Sequence, residues 1–301
     1  MTRRGLLLFA AMCVIWGIPY LLIRVAVGEL SPATLVFVRT VVAALILAPL
    51  VLARGGLRPL AGRWLALLAF AVVEVALPWL MLSSAETHIT SALAGLLVSA
   101  VPLVGVVIAT ALGNREHLQV SSLAGLGLGL VGVALIVGFD LRTSSGVALV
   151  EMALVVVGYA VGPAILARYL TGVPSVTVIG VALALCAIAY APVAFVQRPL
   201  FMPHWSVIGA VAVLAVVCTA LAFLLFFELI AEIGPVRATV ITYVNPAVAA
   251  ILGVLVLRES LTLGMGVGFL VVLAGSTLAT RRRKVAAGAI SVTEMTAGEA
   301  L

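Results

Sequence analysis

Charge is what this chain has least of. Asp, Glu, Lys and Arg make up 9% of it, against 64% hydrophobic residues and a mean hydropathy of +1.35. A soluble globular domain carries about 25% charged residues, so a soluble fold is excluded. Cysteine is nearly absent: Cys13, Cys186 and Cys218 lie inside apolar runs without pairing or metal-ligand spacing, which argues against a disulfide scaffold or a zinc site. His88, His117 and His204 fall at loops or run ends, again without ligand spacing, and read as solvated surface residues. No G-x-x-x-x-G-K-[ST] loop is present, so ATP cannot drive this protein directly. An intramembrane enzyme would need facing aspartates, H-E-x-x-H or a nucleophile with its base, and a channel would need repeated filter segments. Neither pattern occurs, and nothing calls for a metal or a cofactor.

What the chain does have is apolar length. Polar or Pro/Gly punctuation separates runs at 6–27, 32–53, 64–83, 90–112, 120–138, 146–167, 175–196, 204–229, 236–257 and 262–280. Each approaches the 20 or so residues that cross a bilayer. The first run follows Thr2-Arg3-Arg4 without an A-x-A-like cleavage site and is expected to be a retained span. The expected fold is an all-α membrane protein of ten transmembrane helices. The net charge of +6 comes from basic residues at run ends and from Arg281, Arg282, Arg283 and Lys284. This pattern orients a bundle in lipid and does not point to nucleic acid as a partner. With the N-terminus cytoplasmic, twelve basic residues fall inside and Arg24, Arg142, Arg198 and Arg258 outside, which places both termini in the cytoplasm. The segment 281–301 reads as a disordered basic and polar tail.

The chain also repeats itself. At an offset of 144 residues Pro19 meets Pro163, Arg24 meets Arg168, Val72-Val73 meets Val216-Val217 and Pro102 meets Pro246. At 143, Arg115-Glu116 meets Arg258-Glu259, Gly125 meets Gly268 and Gly132 meets Gly275. Matches of Leu and Val are cheap here, but prolines, glycines and charged pairs are scarce. Two five-span units, 5–138 and 146–280, follow; an odd number of spans in each makes the second enter the bilayer upside down. In this register Glu74 faces Cys218, Trp16 faces Ala160 and Val101 faces Asn245, and function is expected where the copies differ.

A family likeness is carried by Trp16-Gly17, by Arg39 in Leu35-Val36-Phe37-Val38-Arg39, by Pro102 followed by Arg115-Glu116, and by Asn245-Pro246-Ala247 followed by Leu257-Arg258-Glu259 and a glycine-rich last run. The chain resembles the EamA family of the drug/metabolite transporter superfamily over about residues 5–280. The resemblance implies ten helices, a cavity formed by the first, third, fourth, sixth, eighth and ninth, and movement of small metabolites, often outward, through a bacterial plasma membrane. It names no substrate.

Within that frame Glu74 lies near the middle of its run, about 15 Å from the edge at 1.5 Å per residue. A charge there costs about 3 kcal/mol, so it should face a cavity or partner, as proton carrier, substrate anchor or structural carboxyl. Arg39 is a candidate for a substrate carboxylate, or for an ion pair with Glu74. Pro19, Pro102, Pro163 and Pro246 mark kinks or hinges, with Asn245 adding an amide beside the last. Trp16, Tyr20, Trp79, Tyr159, Phe223 and Tyr243 fall in the spans that the resemblance places around the cavity; Trp79 and Tyr20 could instead belong to an interfacial belt. Ser83, Ser84, Ser99, Thr219, Thr239 and Thr242 read mainly as packing groups. Gly127-x-Gly129-x-x-Gly132 mimics a dinucleotide fingerprint but has no strand before it. Gly125-x-x-x-Gly129 and Gly264-x-x-x-Gly268 signal close helix packing, within one chain or between subunits of a homodimer. The expected activity is secondary transport of a small molecule, an amino acid or amphipathic compound, with export favoured and uptake or exchange as the alternative.

Overall fold

The computed structural model describes residues 2–111, 120–138, 145–234, 238 and 240–280. The expectations for Arg115, Glu116, His117, Arg142, Arg237, Thr239 and the tail 281–301 lie outside the described residues. The described residues form helices: α1 (Arg3–Ile15), α2 (Pro19–Ala26), α3 (Pro32–Ala53), α4 (Trp64–Phe70), α5 (Leu77–Ala85), α6 (Ser91–Val98), α7 (Val101–Ala111) and α8 (Val120–Gly138). After these come α9 (Gly146–Tyr169), α10 (Ser175–Val196), α11 (Trp205–Ala215), α12 (Ala222–Ile233), α13 (Ile241–Leu257) and α14 (Leu263–Thr280).

Among the described residues, seven helical stretches are long and apolar enough to cross a membrane, and Ser122–Gly138, Ile241–Leu257 and Leu263–Ala279 are shorter apolar helices. The burial pattern is that of a bundle solvated by lipid. Leu45, Leu65, Leu130 and Leu255 point outward, while Arg39, Thr40, Ser83, Ser99 and Thr219 are buried.

Helix ends and breaks follow local chemistry. Ser31 and Thr90 cap α3 and α6 with side-chain oxygens that accept from Thr34 N and Leu93 N. The first stretch breaks at Trp16-Gly17-Ile18, where the Gly17 amide turns back to Val14 O and Pro19 restarts the helix as its first residue. The stretch Ser91–Ile108 breaks at Ser99-Ala100, just before Pro102, whose missing N–H cannot serve Val98 O. Pro163 and Pro246 lie inside the unbroken α9 and α13. The paired prolines therefore do different things: each interrupts the helix in the first half and leaves it continuous in the second.

The packing exchanges the halves. Helix α3 packs on α10, α6 on α13 and α8 on α14, while α5 against α9 is mirrored by α1 and α2 against α12 and α11. The same pairings thus recur with the halves interchanged. The tightest approach is α8 against α14. A Cβ on Gly125 would stand 2.4 Å from Ala279 N, one on Gly132 2.6 Å from Val272 N, and one on Gly275 2.5 Å from Gly129 N. Only hydrogen fits there, so this glycine face is used within the chain.

Candidate functional site

Two π turns sit at the centre of the bundle. Ala71–Ala76 joins α4 to α5 and Val216–Leu221 joins α11 to α12. π turns inside α-helices often accompany functional sites. In the first, Pro78 offers no N–H and crowds the carbonyl four residues back, and the helix relaxes so that Leu77 N–H reaches Val72 O, five back. The second has no proline. There Ala222 N–H reaches Val217 O, and the Thr219 hydroxyl donates to Leu214 O at 2.7 Å. Aligned by their bounds, the turns pair Glu74 with Thr219, one residue from the Cys218 that the 144-residue offset gave.

Arg39 is 7% exposed, and its guanidinium carbon lies 3.7 Å from the centroid of the Trp79 ring. Its Nε donates to Thr219 Oγ1 at 2.8 Å. The expected ion pair with Glu74 is not formed: among the described residues the ion pairs join Arg4 to Glu228 and Glu232. Arg39 is thus a buried cation held by an aromatic face and a hydroxyl, with no carboxylate opposite. Such a group suits an anion that arrives and leaves.

Glu74 leans against α9. A Cβ on Gly162 would stand 1.9 Å from Glu74 Oε2 and 2.8 Å from its Cβ, so glycine makes the room that this side chain fills. Glu74 Oε2 is buried without a hydrogen-bond partner among the described residues. One turn earlier, Gly158 admits Val73 O and the Pro78 ring, at 2.5 Å and 2.6 Å from its virtual Cβ. Tyr159, between these glycines, is the electrostatic neighbour of Arg39, Glu74 and Glu86 and lies within hydrogen-bonding reach of the Trp79 indole. It packs against both large apolar cores.

Tyr20 and Trp79 are each 6% exposed, so neither belongs to an interfacial belt. Tyr20 is an electrostatic neighbour of Arg39 and Tyr159. Trp16 and Phe223 form a second aromatic group: their rings meet edge-on at 5.8 Å, and Phe226 lies 4.7 Å from Trp16. Asn245 serves the break after α1. With its amide oriented to satisfy both carbonyls, the NH2 donates to Cys13 O at 3.1 Å and Ile241 O at 2.9 Å. Cys13 O is the acceptor that Gly17 leaves when its amide turns to Val14 O. Tyr243 is half-buried and joins neither group through a ring contact or side-chain hydrogen bond among the described residues.

Two residues escaped the sequence reading. Thr219 looked like ordinary packing and is the group that touches Arg39. Glu86 falls between the runs 64–83 and 90–112, drew no attention there, and is fully buried. Of the Arg258-Glu259 pair, Glu259 is a cap: it accepts from Ser91 N and Ala92 N, each at 2.9 Å, at the start of α6.

A recess of about 490 Å³ opens beside Leu50, Arg54, Pro174, Leu224 and Glu228, at the end of the bundle where α1 begins. Another of about 380 Å³, between α3 and α11, is lined by Val38, Val42, Val207 and Val211. Neither includes Arg39 or Glu74. The central residues are packed against one another.

Comparison with known proteins gives a consistent result. The profile of the EamA-like transporter family matches twice, over residues 3–138 and 145–281. Two proteins of Archaeoglobus fulgidus, each described as an uncharacterized transporter, are similar along nearly their whole length. One is 24% identical over 89% of this chain and 95% of its own, the other 26% identical over 94% and 99%. A crystal structure described only as that of a protein superposes with a TM-score of 0.66 at 21% identity, over 93% of this chain and 97% of the other, and supports the fold alone.

Proposed function

The chain belongs to the EamA-like transporter family, and from that premise we propose a ten-span secondary carrier that passes a small metabolite by alternating access. Its working units are two inverted copies, 5–138 and 146–280, that rock against each other around the π turns. One observation carries the reading: Arg39, a buried cation without a carboxylate among the described residues, is held by Trp79 from its own copy and Thr219 from the other. Rocking the copies apart breaks the Thr219 contact and frees guanidinium donors for cargo. The fitting cargo is amphipathic and carries a carboxylate, an amino acid or an aromatic acid, with its apolar body against Trp16, Tyr20, Trp79, Tyr159, Phe223 and Tyr243. Glu74, unpartnered at its Oε2, is the group assigned to proton coupling. Pro19 and Pro102 stand at the breaks and are the working hinges, with Pro163 and Pro246 as their counterparts in the second copy.

The family likeness favours a bacterial plasma membrane setting, and the basic residues at the run ends favour cytoplasmic termini. Outward movement is favoured by the family likeness, and uptake or exchange uses the same machinery. The test is counterflow in proteoliposomes with radiolabelled amino acids and aromatic acids, under imposed gradients of either direction. Saturable exchange that Arg39→Gln abolishes is expected. Proton dependence and flux unchanged in Glu74→Gln would remove the coupling role.

A further inference from the structure

Glu86 stands one residue beyond the apolar stretch Trp64–Ala85, at the end of the bundle opposite the start of α1. It is 0% exposed, and neither carboxylate oxygen has a hydrogen-bond partner among the described residues. The cation that acts on it, Arg24, donates its Nη1 to the Glu86 backbone carbonyl and forms no ion pair with the carboxylate. Across from it stands a second carboxylate, Glu259, which holds the start of α6 through Ser91 N, Ala92 N and, at 3.0 Å, Ser91 Oγ. Glu259 lies after α13 and α6 lies in the first half, so this cap joins the two copies. Tyr20 and Tyr159 are the other titratable groups that face Glu86. Burial holds the Glu86 carboxyl well above the usual carboxylate range; the Glu259 charge adds to this, while the Arg24 charge and an approach to the Arg24 backbone oppose it. A neutral carboxyl is the form that a dry, unpaired position accepts.

We propose that Glu86 is a proton-binding site that works as a latch: it carries a proton while the Glu259 cap on α6 is closed and passes it to bulk water when this end opens. On opening, the O–H bond of the carboxyl breaks, its electron pair stays on the carboxylate and water takes the proton. The inference rests on the carrier reading and adds a second protonatable group besides Glu74. Because the closed form binds the proton more tightly, raising the pH favours opening. The closed-to-open ratio falls by up to about tenfold per pH unit between the ordinary carboxylate value near ~4.3 and the raised closed-state value. Below that window both forms are protonated and above it both are ionised, so the ratio is flat on either side.

Hydrogen–deuterium exchange on the full chain in nanodiscs, without substrate, tests the latch. The Ser91 and Ala92 amides read it, because they bond to Glu259 when closed. After correction for base-catalysed exchange, their protection in the wild type should fall as pH rises above the ordinary carboxylate range, by up to about tenfold per unit. Glu86→Gln, which stays neutral, should hold protection high and flat, and Glu86→Asp should restore the slope. A flat wild-type profile, a Glu86→Gln profile with the wild-type slope, or a flat Glu86→Asp profile would overturn the proposal. No cargo is involved, so a failed counterflow experiment leaves this result readable. A flat exchange profile likewise leaves the carrier reading intact.

Discussion

Arg39 lies across the face of Trp79, 3.7 Å from guanidinium carbon to ring centroid, while its Nε is fixed by Thr219. A desolvated cation–π contact is worth about 2 kcal/mol, roughly thirtyfold in an equilibrium constant. Trp79→Phe should therefore keep most of the counterflow rate and Trp79→Leu should lower it by roughly thirtyfold. Arg39→Lys keeps the charge but loses the planar fork, and should behave like Trp79→Leu rather than like the wild type. Equal rates in Trp79→Phe and Trp79→Leu would show that the ring face is not what holds Arg39.

Gly162 sets the position of Glu74. A Cβ there meets Glu74 Cβ and Cδ, each at 2.8 Å, so displacement of the carboxylate tip alone does not relieve the contact. Gly162→Ala should push the first π turn off α9 and lower the melting temperature by the equivalent of about 1–3 kcal/mol, with loss of proton-dependent flux. Retained stability and flux together would mean that α9 moves freely away from the turn.

The glycines of α8 provide a matched pair. Gly125 would place a Cβ 2.4 Å from Ala279 N, whereas Gly127 has nothing within 4 Å. Gly127→Ala should leave thermal stability in detergent unchanged or slightly raised, since alanine favours helix. Gly125→Ala should cost about 1–3 kcal/mol. The same loss in both variants would point to a membrane-insertion defect rather than to the α8–α14 contact.

Asn245 ties α13 to the break after α1. Asn245→Ala leaves Cys13 O and Ile241 O without the amide and should cost about 1–3 kcal/mol. Asn245→Asp puts an acceptor where both partners are acceptors and should be worse. Cross-linking between α1 and α13 would report the loosening, and an Asp variant as stable as the wild type would contradict the assigned amide orientation.

The long elements were legible because punctuation in the chain is chemical. The runs 32–53 and 175–196 coincide with α3 and α10 to the residue, since Ser31-Pro32 and Pro174-Ser175 start helices that local rules recognise. The π turn at Val216–Leu221 carries no proline and no compositional mark, and only the Thr219 hydroxyl explains it. Hence the copies registered one residue away from the structural match at Glu74. Arg39 and Trp79 could both be singled out, but the contact between them depends on helix rotation, which near-uniform hydrophobicity conceals. Glu86 was hidden for another reason. Its neighbours Thr87 and His88 are exposed, and the charged groups that approach it, Arg24 and Glu259, lie far away in the chain.

The prolines have a kinetic corollary. Pro19 and Pro102 sit at interrupted helices, while Pro163 and Pro246 are threaded through continuous ones. At these paired positions the first half is jointed and the second is continuous. A mechanism that bends at those joints is a lopsided rocker: its inward-facing and outward-facing shapes are not mirror images, and the activation barriers for the two strokes differ. The backbone then sets which shape the protein rests in, while net movement still takes its direction from a gradient.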